Sequence, residues 1–293
     1  MAGFSIDAAL RSGFRLARRE WKTVLAWGAS LVVLAMLAQI LVAGPALPAY
    51  LAEVASDPEG AAAAMEAATL ANAWWSYPLV LLAGLVTTAM FYGAVCRALL
   101  RPGERGFFYL RFGRGERWLL LTVVAFYALV LAAALPAMFI VFAVADAVSQ
   151  SGASGGLWMV LLVLSLGAGG WYLIARLSLA FVMAWDEERL ALADAWRLTR
   201  GQGGRIMLMM LALVFLVAIA MLVVVVPTVM VAGIIVGVAG LSGSAGLVFG
   251  IALGLAALVF FCAFYGVFYT VGIAPYVEVY RQLRDGRAAS AAS

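Results

Sequence analysis

The chain has 293 residues, 66% of them apolar and only 12% charged, against about 25% charged in a soluble domain, so hydrocarbon rather than water is the expected solvent. It contains no histidine, which excludes a His-ligated haem or chlorophyll, an H-E-x-x-H metalloprotease and a Ser-His nucleophile pair. The net charge of +4 comes from cations flanking apolar runs, a placement suited to anionic lipid headgroups and not to nucleic acid.

Residues 1–22 carry Arg11, Arg15, Arg18, Arg19 and Lys22. Ile6, Leu10, Phe14, Ala17 and Trp21 recur at helical spacing on one face, predicting an amphipathic helix in the headgroup plane. The charged stretch is too long for a signal-peptide n-region, so the first apolar run is expected to remain as an uncleaved span. Apolar runs near 23–44, 76–100, 118–146, 157–185, 206–236 and 247–277 approach or exceed the roughly 20 residues that cross a bilayer as a helix. The longer ones require tilt or a kink.

Lys and Arg fix the expected orientation. Five lie before the first run, six between Arg97 and Arg117, four between Arg189 and Arg205, and three at Arg281, Arg284 and Arg287, while the three intervening loops have none. The positive-inside rule places these eighteen, and both termini, in the cytoplasm. Trp21, Trp118, Trp185, Tyr276 and Tyr280 are expected at the inner interface, and Trp74, Trp75, Tyr77 and Trp158 at the outer one. The outer segment from Gly44 to Trp75 is expected to contain a short helix; the outer turns at 146–156 and 237–246 are short and rich in Gly and Ser. Cys96 and Cys262 are expected as free thiols, and residues 288–293 as a disordered tail.

A motif of apolar, Arg, apolar, small, Arg, any, Glu or Gln precedes each outward run. Its copies begin at Phe14, Leu110 and Trp196 and end at Glu20, Glu116 and Gln202, carrying Arg15 and Arg18, Arg111 and Arg114, and Arg197 and Arg200. The first and third are 182 residues apart, the same offset as Pro45 to Pro227. The expected architecture is an all-α integral membrane protein of six spans with short amphipathic interfacial helices on the cytoplasmic face. The second copy does not keep this proline register, so the motif is open to two readings, three parallel helix-hairpin repeats or convergence of Arg-rich helices.

Gly246, Gly250 and Gly254, and Gly233 with Gly237, are spaced for close helix packing, within one chain or between copies. Arg176 is the nineteenth basic residue and the one inside a span, hence a functional candidate. The structural alternative is a snorkelling side chain, or one paired with Glu278, Asp186 or Asp194. Asp186, Glu187 and Glu188 read as an acidic helix end rather than a metal site.

The stretch Ala175-Arg176-Leu177-Ser178-Leu179, followed by Ala195-Trp196-Arg197-Leu198-Thr199-Arg200-Gly201, resembles the membrane domain of the glycerophosphoryl diester phosphodiesterases and its free-standing bacterial relatives. The chain departs from that pattern after Gly201, and at Ala180 to Met183, where the family often has a proline. The resemblance implies a bacterial inner-membrane location. It implies no phosphodiesterase activity, because the catalytic domain is missing.

The leading expectation is a non-catalytic inner-membrane protein binding anionic lipid, a protein partner or both in an organising or accessory role, with homo-oligomerisation open and no cofactor. Arg176, Trp196, Arg197, Arg200, Arg15, Arg18, Arg111 and Arg114 are its candidate binding residues. A small-solute transporter or channel is the alternative, with Pro136 and Pro227 as helix breakers. An intramembrane enzyme acting on lipid ranks third, since no nucleophile-base pair can be named.

Overall fold

The computed structural model describes residues 4–44, 48, 61–104, 106–149, 155–239 and 244–292. Among them there is no strand. The helices are α1 (Ile6–Arg19), α2 (Trp21–Ala43), α3 (Ala61–Leu100), α4 (Arg114–Ser149), α5 (Gly155–Leu177), α6 (Ala180–Glu187), α7 (Leu192–Leu198), α8 (Gly203–Ala239) and α9 (Ser244–Ala292), with a 3-10 turn at Phe107–Tyr109. Six spans are long and apolar enough to cross a membrane: Trp21–Val42, Trp74–Leu100, Arg114–Asp146, Gly156–Glu187, Gly203–Val224 and Ala252–Gly286.

α1 starts at Ser5, whose hydroxyl accepts from the Ala8 amide at 3.3 Å, and has Asp7 in its first turn and Arg18 and Arg19 in its last. Cap and charges both complement the helix dipole. The single non-helical residue Glu20 joins it to α2. α1 lies antiparallel along α9: the Ser5 amide donates to Gln282 Oε1 at 2.9 Å, and a Cβ on Gly13 would fall 2.7 Å from Val271 Cα. The buried face is therefore Ala9, Ser12, Gly13 and Leu16, and Ile6, Leu10 and Ala17 of the expected apolar stripe pack partly buried beside it. Phe14 and Trp21 remain exposed, because small residues permit this backbone approach and bulky ones do not.

The antiparallel run continues into α2. A Cβ on Gly28 would lie 1.6 Å from the Cys262 carbonyl oxygen, and one on Gly266 2.0 Å from that of Val24. This glycine crossing joins the first and last spans. It is not the one expected from glycine spacing. Among the described residues a Cβ on Gly254 would meet nothing within 4 Å. Gly233, Gly237, Gly246 and Gly250 lie on helical backbone, outside the residues whose packing is described.

Other expectations change in detail. The second span continues a helix that begins at Ala61, so the helix expected in the outer segment is an extension of the span. The fourth span is interrupted by a turn at Ser178 and Leu179, where the Ser178 hydroxyl donates to the Ala175 carbonyl at 2.8 Å and competes with the helical ladder. α4 runs unbroken through Pro136. α9 is drawn to Ala292, through most of the segment 288–293. Cys96 and Cys262 are free thiols.

Elements carrying Lys and Arg converge at one end of the bundle, here the basic end. Arg19 donates to the Ala98 carbonyl, Trp27 to that of Phe108, Arg101 to that of Asp186, and Tyr280 to the Asp186 carboxylate. The buried core lies toward this end, with Leu16, Trp27, Val95, Leu119, Leu179, Trp185, Ile206, Val277 and Val279 among its members. Away from it the helices expose Leu34 to Leu41, Leu129 to Phe142 and Leu157 to Leu164 on nearly every side. Grooves of about 380 Å³ between α2 and α3, 520 Å³ between α4 and α5, 620 Å³ between α2 and α9 and 690 Å³ between α3 and α4 separate them, and no charged side chain lines any of the four.

Candidate functional site

Two polar clusters organise the basic end, and a set of free cations surrounds them. The first is built on Arg97 in the last turn of α3 and Glu116 in the first turn of α4. Their side chains are 4% and 1% exposed. Arg97 Nη2 donates to Glu116 Oε1 and Nη1 to the Tyr109 carbonyl. Trp185 Nε1 also donates to Glu116 Oε1, at 2.8 Å, while the Gly113 amide donates to Oε2 at 2.8 Å. A Cβ at Gly93 would sit 2.5 Å from Glu116 Oε1, so α3 needs a bare backbone where α4 sets down its carboxylate. Both ions gain partners for most of their polar atoms, which lets a buried pair be retained.

Asp186 extends this cluster to α9. It accepts from the Tyr280 hydroxyl at 2.9 Å and from Arg284 Nη1 at 2.8 Å, and lies 3.6 Å from Arg101 Nη2. The Trp185 ring underlies both Arg101, at 4.8 Å, and Arg97, at 5.7 Å, as cation-π geometry favours. Trp185 and Tyr280, expected in an interfacial belt, are each 2% exposed. They are core residues because their polar tips find partners inside the protein.

The second cluster joins the two halves of the family-like motif. Arg176, 8% exposed, donates from Nη2 to the Trp196 carbonyl and from Nε to Thr199 Oγ1 at 3.3 Å. The Thr199 hydroxyl donates to the Ala195 carbonyl at 2.8 Å and lies 3.2 Å from the Arg176 carbonyl. The guanidinium lies 3.7 Å from the Trp196 ring centroid and 5.9 Å from that of Tyr172. Among the described residues no carboxylate lies within 4 Å of it. The pairing with Glu278, Asp186 or Asp194 is not formed: Glu278 takes Arg281, Asp186 takes Arg284 and Arg101, and Asp194 takes Arg189 and Arg197. Arg176 instead closes the last turns of α5 and α7, where carbonyls have no helical partner and the dipole favours a cation.

The remaining candidates divide by partner. Arg197 is 3.9 Å from Asp194, and Arg111 is 3.9 Å from Glu104. Arg15 donates to the Ala8 carbonyl at 3.4 Å. Arg18, Arg114 and Arg200 are exposed, and none has a carboxylate within 4 Å among the described residues. These three hold the same place, the second arginine, in the three motif copies. Exposed, unpaired guanidiniums are free to fork onto phosphate oxygens.

Sequence reasoning passed over Arg97, Thr199 and Trp185 as site residues, and treated Glu116 only as the last residue of a motif. Glu116 did carry a signal, being one residue from Arg117 and two from Arg114, cations it does not pair with. Among the described residues no three His, Cys, Asp or Glu side chains are grouped to hold a metal. No protein-family model matches the chain, and neither the curated proteins nor the solved structures yield a similar one.

Proposed function

We propose that this is a non-catalytic multi-pass protein of a bacterial inner membrane, with its basic end and both termini in the cytoplasm, that binds anionic headgroups in an organising or accessory role. One observation carries the reading: the second arginine of each motif copy, Arg18, Arg114 and Arg200, is exposed without a carboxylate partner among the described residues, whereas Asp186 and Glu116 are already engaged by Arg284 and Arg97. A cation beside an anionic leaflet contributes on the order of 1 kcal/mol, so three act together as a weak but additive anchor. The likeness to the phosphodiesterase membrane domains fits such a role, and we place the chain beside those free-standing relatives.

The test is to replace Arg18, Arg114 and Arg200 together by Gln and measure phosphatidylglycerol retained on gentle extraction, by native mass spectrometry. Retention is expected to fall about a hundredfold, from three contributions of roughly 1 kcal/mol; retention equal to the wild type would defeat the proposal. Native masses of the wild type also report any second copy or partner protein that co-purifies.

Orientation has its own test. Reporter fusions at Gly106, Gln202 and Ser290 are expected to read cytoplasmic, and those at Glu59, Ser151 and Ser242 external. One inverted reporter would break the assignment from charge.

A further inference from the structure

At the basic end one carboxylate is surrounded by three guanidiniums and hydrogen-bonded to none of them. Glu104, in the turn after α3, places Oε2 3.7 Å from Arg97 Nε and 3.9 Å from Arg111 Nη2, and Oε1 3.9 Å from Arg101 Nη1. Charge-assisted N–H···O bonds close to about 2.7–2.9 Å, so Glu104 sits in the field of all three cations without satisfying their donors.

A second observation points the same way. Arg97 is 4% exposed on its side chain, and its Nε, the atom facing Glu104, is buried with no hydrogen-bond partner. Its other two nitrogens are held by Tyr109 and Glu116, and Trp185 lies beneath it. The orphaned N–H is therefore fixed in direction. Buried donors are paired in nearly all native structures, so one aimed at a loosely held anion marks a position that a better acceptor would fill.

The geometry points to a site for a phosphomonoester-type dianion held by Arg97, Arg101 and Arg111, which the Glu104 carboxylate occupies as a weak internal stand-in. Glu104 offers two oxygens and one charge to three guanidiniums. A terminal phosphate offers three oxygens and close to two charges at neutral pH, with the planar fork of arginine matched to it. Glu104 and Arg111 are 41% and 70% exposed on their side chains, so the carboxylate has room to leave and a ligand has room to enter. The same chemistry is carried by inorganic phosphate in solution and by a lipid headgroup ending in a phosphate. The site is independent of the headgroup reading above, which rests on Arg18, Arg114 and Arg200.

The experiment uses the full chain, purified in detergent, with inorganic phosphate titrated calorimetrically and phosphatidic acid against phosphatidylglycerol scored by native mass spectrometry. Glu104→Gln removes the internal competitor and is expected to tighten binding about tenfold, while Arg111→Gln and Arg101→Gln each weaken it about fivefold or more. A response to inorganic phosphate assigns a soluble ligand; a response confined to phosphatidic acid assigns a headgroup. If Glu104→Gln and Arg111→Gln treat both probes as the wild type does, or if neither probe binds any variant, the site is refuted. The Arg18, Arg114 and Arg200 triple variant is expected to lose phosphatidylglycerol while keeping the cradle's affinity, so the two proposals fail separately.

Discussion

Alanine at Gly28 is expected to unseat the first span from the last. Its Cβ would fall 1.6 Å from the Cys262 carbonyl oxygen and 2.8 Å from the Gly266 amide nitrogen, both backbone atoms. No side-chain rotation relieves such a contact, so α2 and α9 must separate. The reciprocal change at Gly266 meets the Val24 carbonyl oxygen at 2.0 Å. Over-packing costs about 1–3 kcal/mol, occasionally more, and this site belongs at the upper end because the obstruction is main chain. In a chain of this size about 3 kcal/mol lowers the thermal midpoint by roughly 6–12 °C. Thermal unfolding of detergent-purified Gly28→Ala and Gly266→Ala, read by loss of the monodisperse elution peak, checks this. Gly254→Ala is the control, since its new methyl meets nothing within 4 Å among the described residues and should leave the midpoint near the wild type. Equal midpoints for Gly28→Ala and Gly254→Ala would mean that the glycine crossing is not built as described.

Removing the Glu116 carboxylate is expected to be equally severe, for an electrostatic reason. Glu116→Ala leaves Arg97 charged, 4% exposed and without the carboxylate it hydrogen-bonds, Glu104 standing off at 3.7 Å, and strips the acceptor from Trp185 Nε1 and the Gly113 amide. Breaking one side of a buried ion pair costs about 3–5 kcal/mol, whereas replacing both partners with residues of similar volume is often near neutral. The double variant Arg97→Met, Glu116→Gln should therefore recover much of what Glu116→Ala loses, although the Tyr109 carbonyl then lacks its donor. A double-mutant cycle of Arg97→Met and Glu116→Gln, each alone and together, measures the coupling on the same thermal readout. Additive losses would show that Arg97 and Glu116 contribute independently.

The spans were legible from hydropathy, and their bundling at one basic end from the alternation of charged and uncharged loops. The contacts inside the bundle were not. In water a buried face announces itself by contrast with a polar one; in hydrocarbon both the packed and the lipid-facing sides are apolar. α4 accordingly buries Leu119 and exposes Leu121, Leu129 and Phe139 with no change in residue type. The glycine crossing escaped notice because Gly28 stands alone in its helix, while Gly246, Gly250 and Gly254 formed the more regular pattern. Arg114 and Glu116 show the same limit among charges. They are two residues apart in one motif, yet Arg114 is exposed and Glu116 buried, and the difference is set by Arg97 on another helix. Arg176 was legible as unusual, and its neighbours Trp196 and Thr199 fell within the adjacent motif. That these two stretches hold each other needed the fold.

The uneven distribution of the core has a consequence for the lipid around it. Near the basic end a bilayer leaflet meets one column with a single annular shell. Toward the other end, where α4 and α5 expose Leu131, Phe139, Phe142, Leu157, Trp158 and Leu164, the other leaflet meets rods that each carry acyl chains of their own. Fatty tails are expected there in the places that neighbouring side chains fill in a close-packed bundle. Chain length and unsaturation in that leaflet thereby become part of the protein's own cohesion.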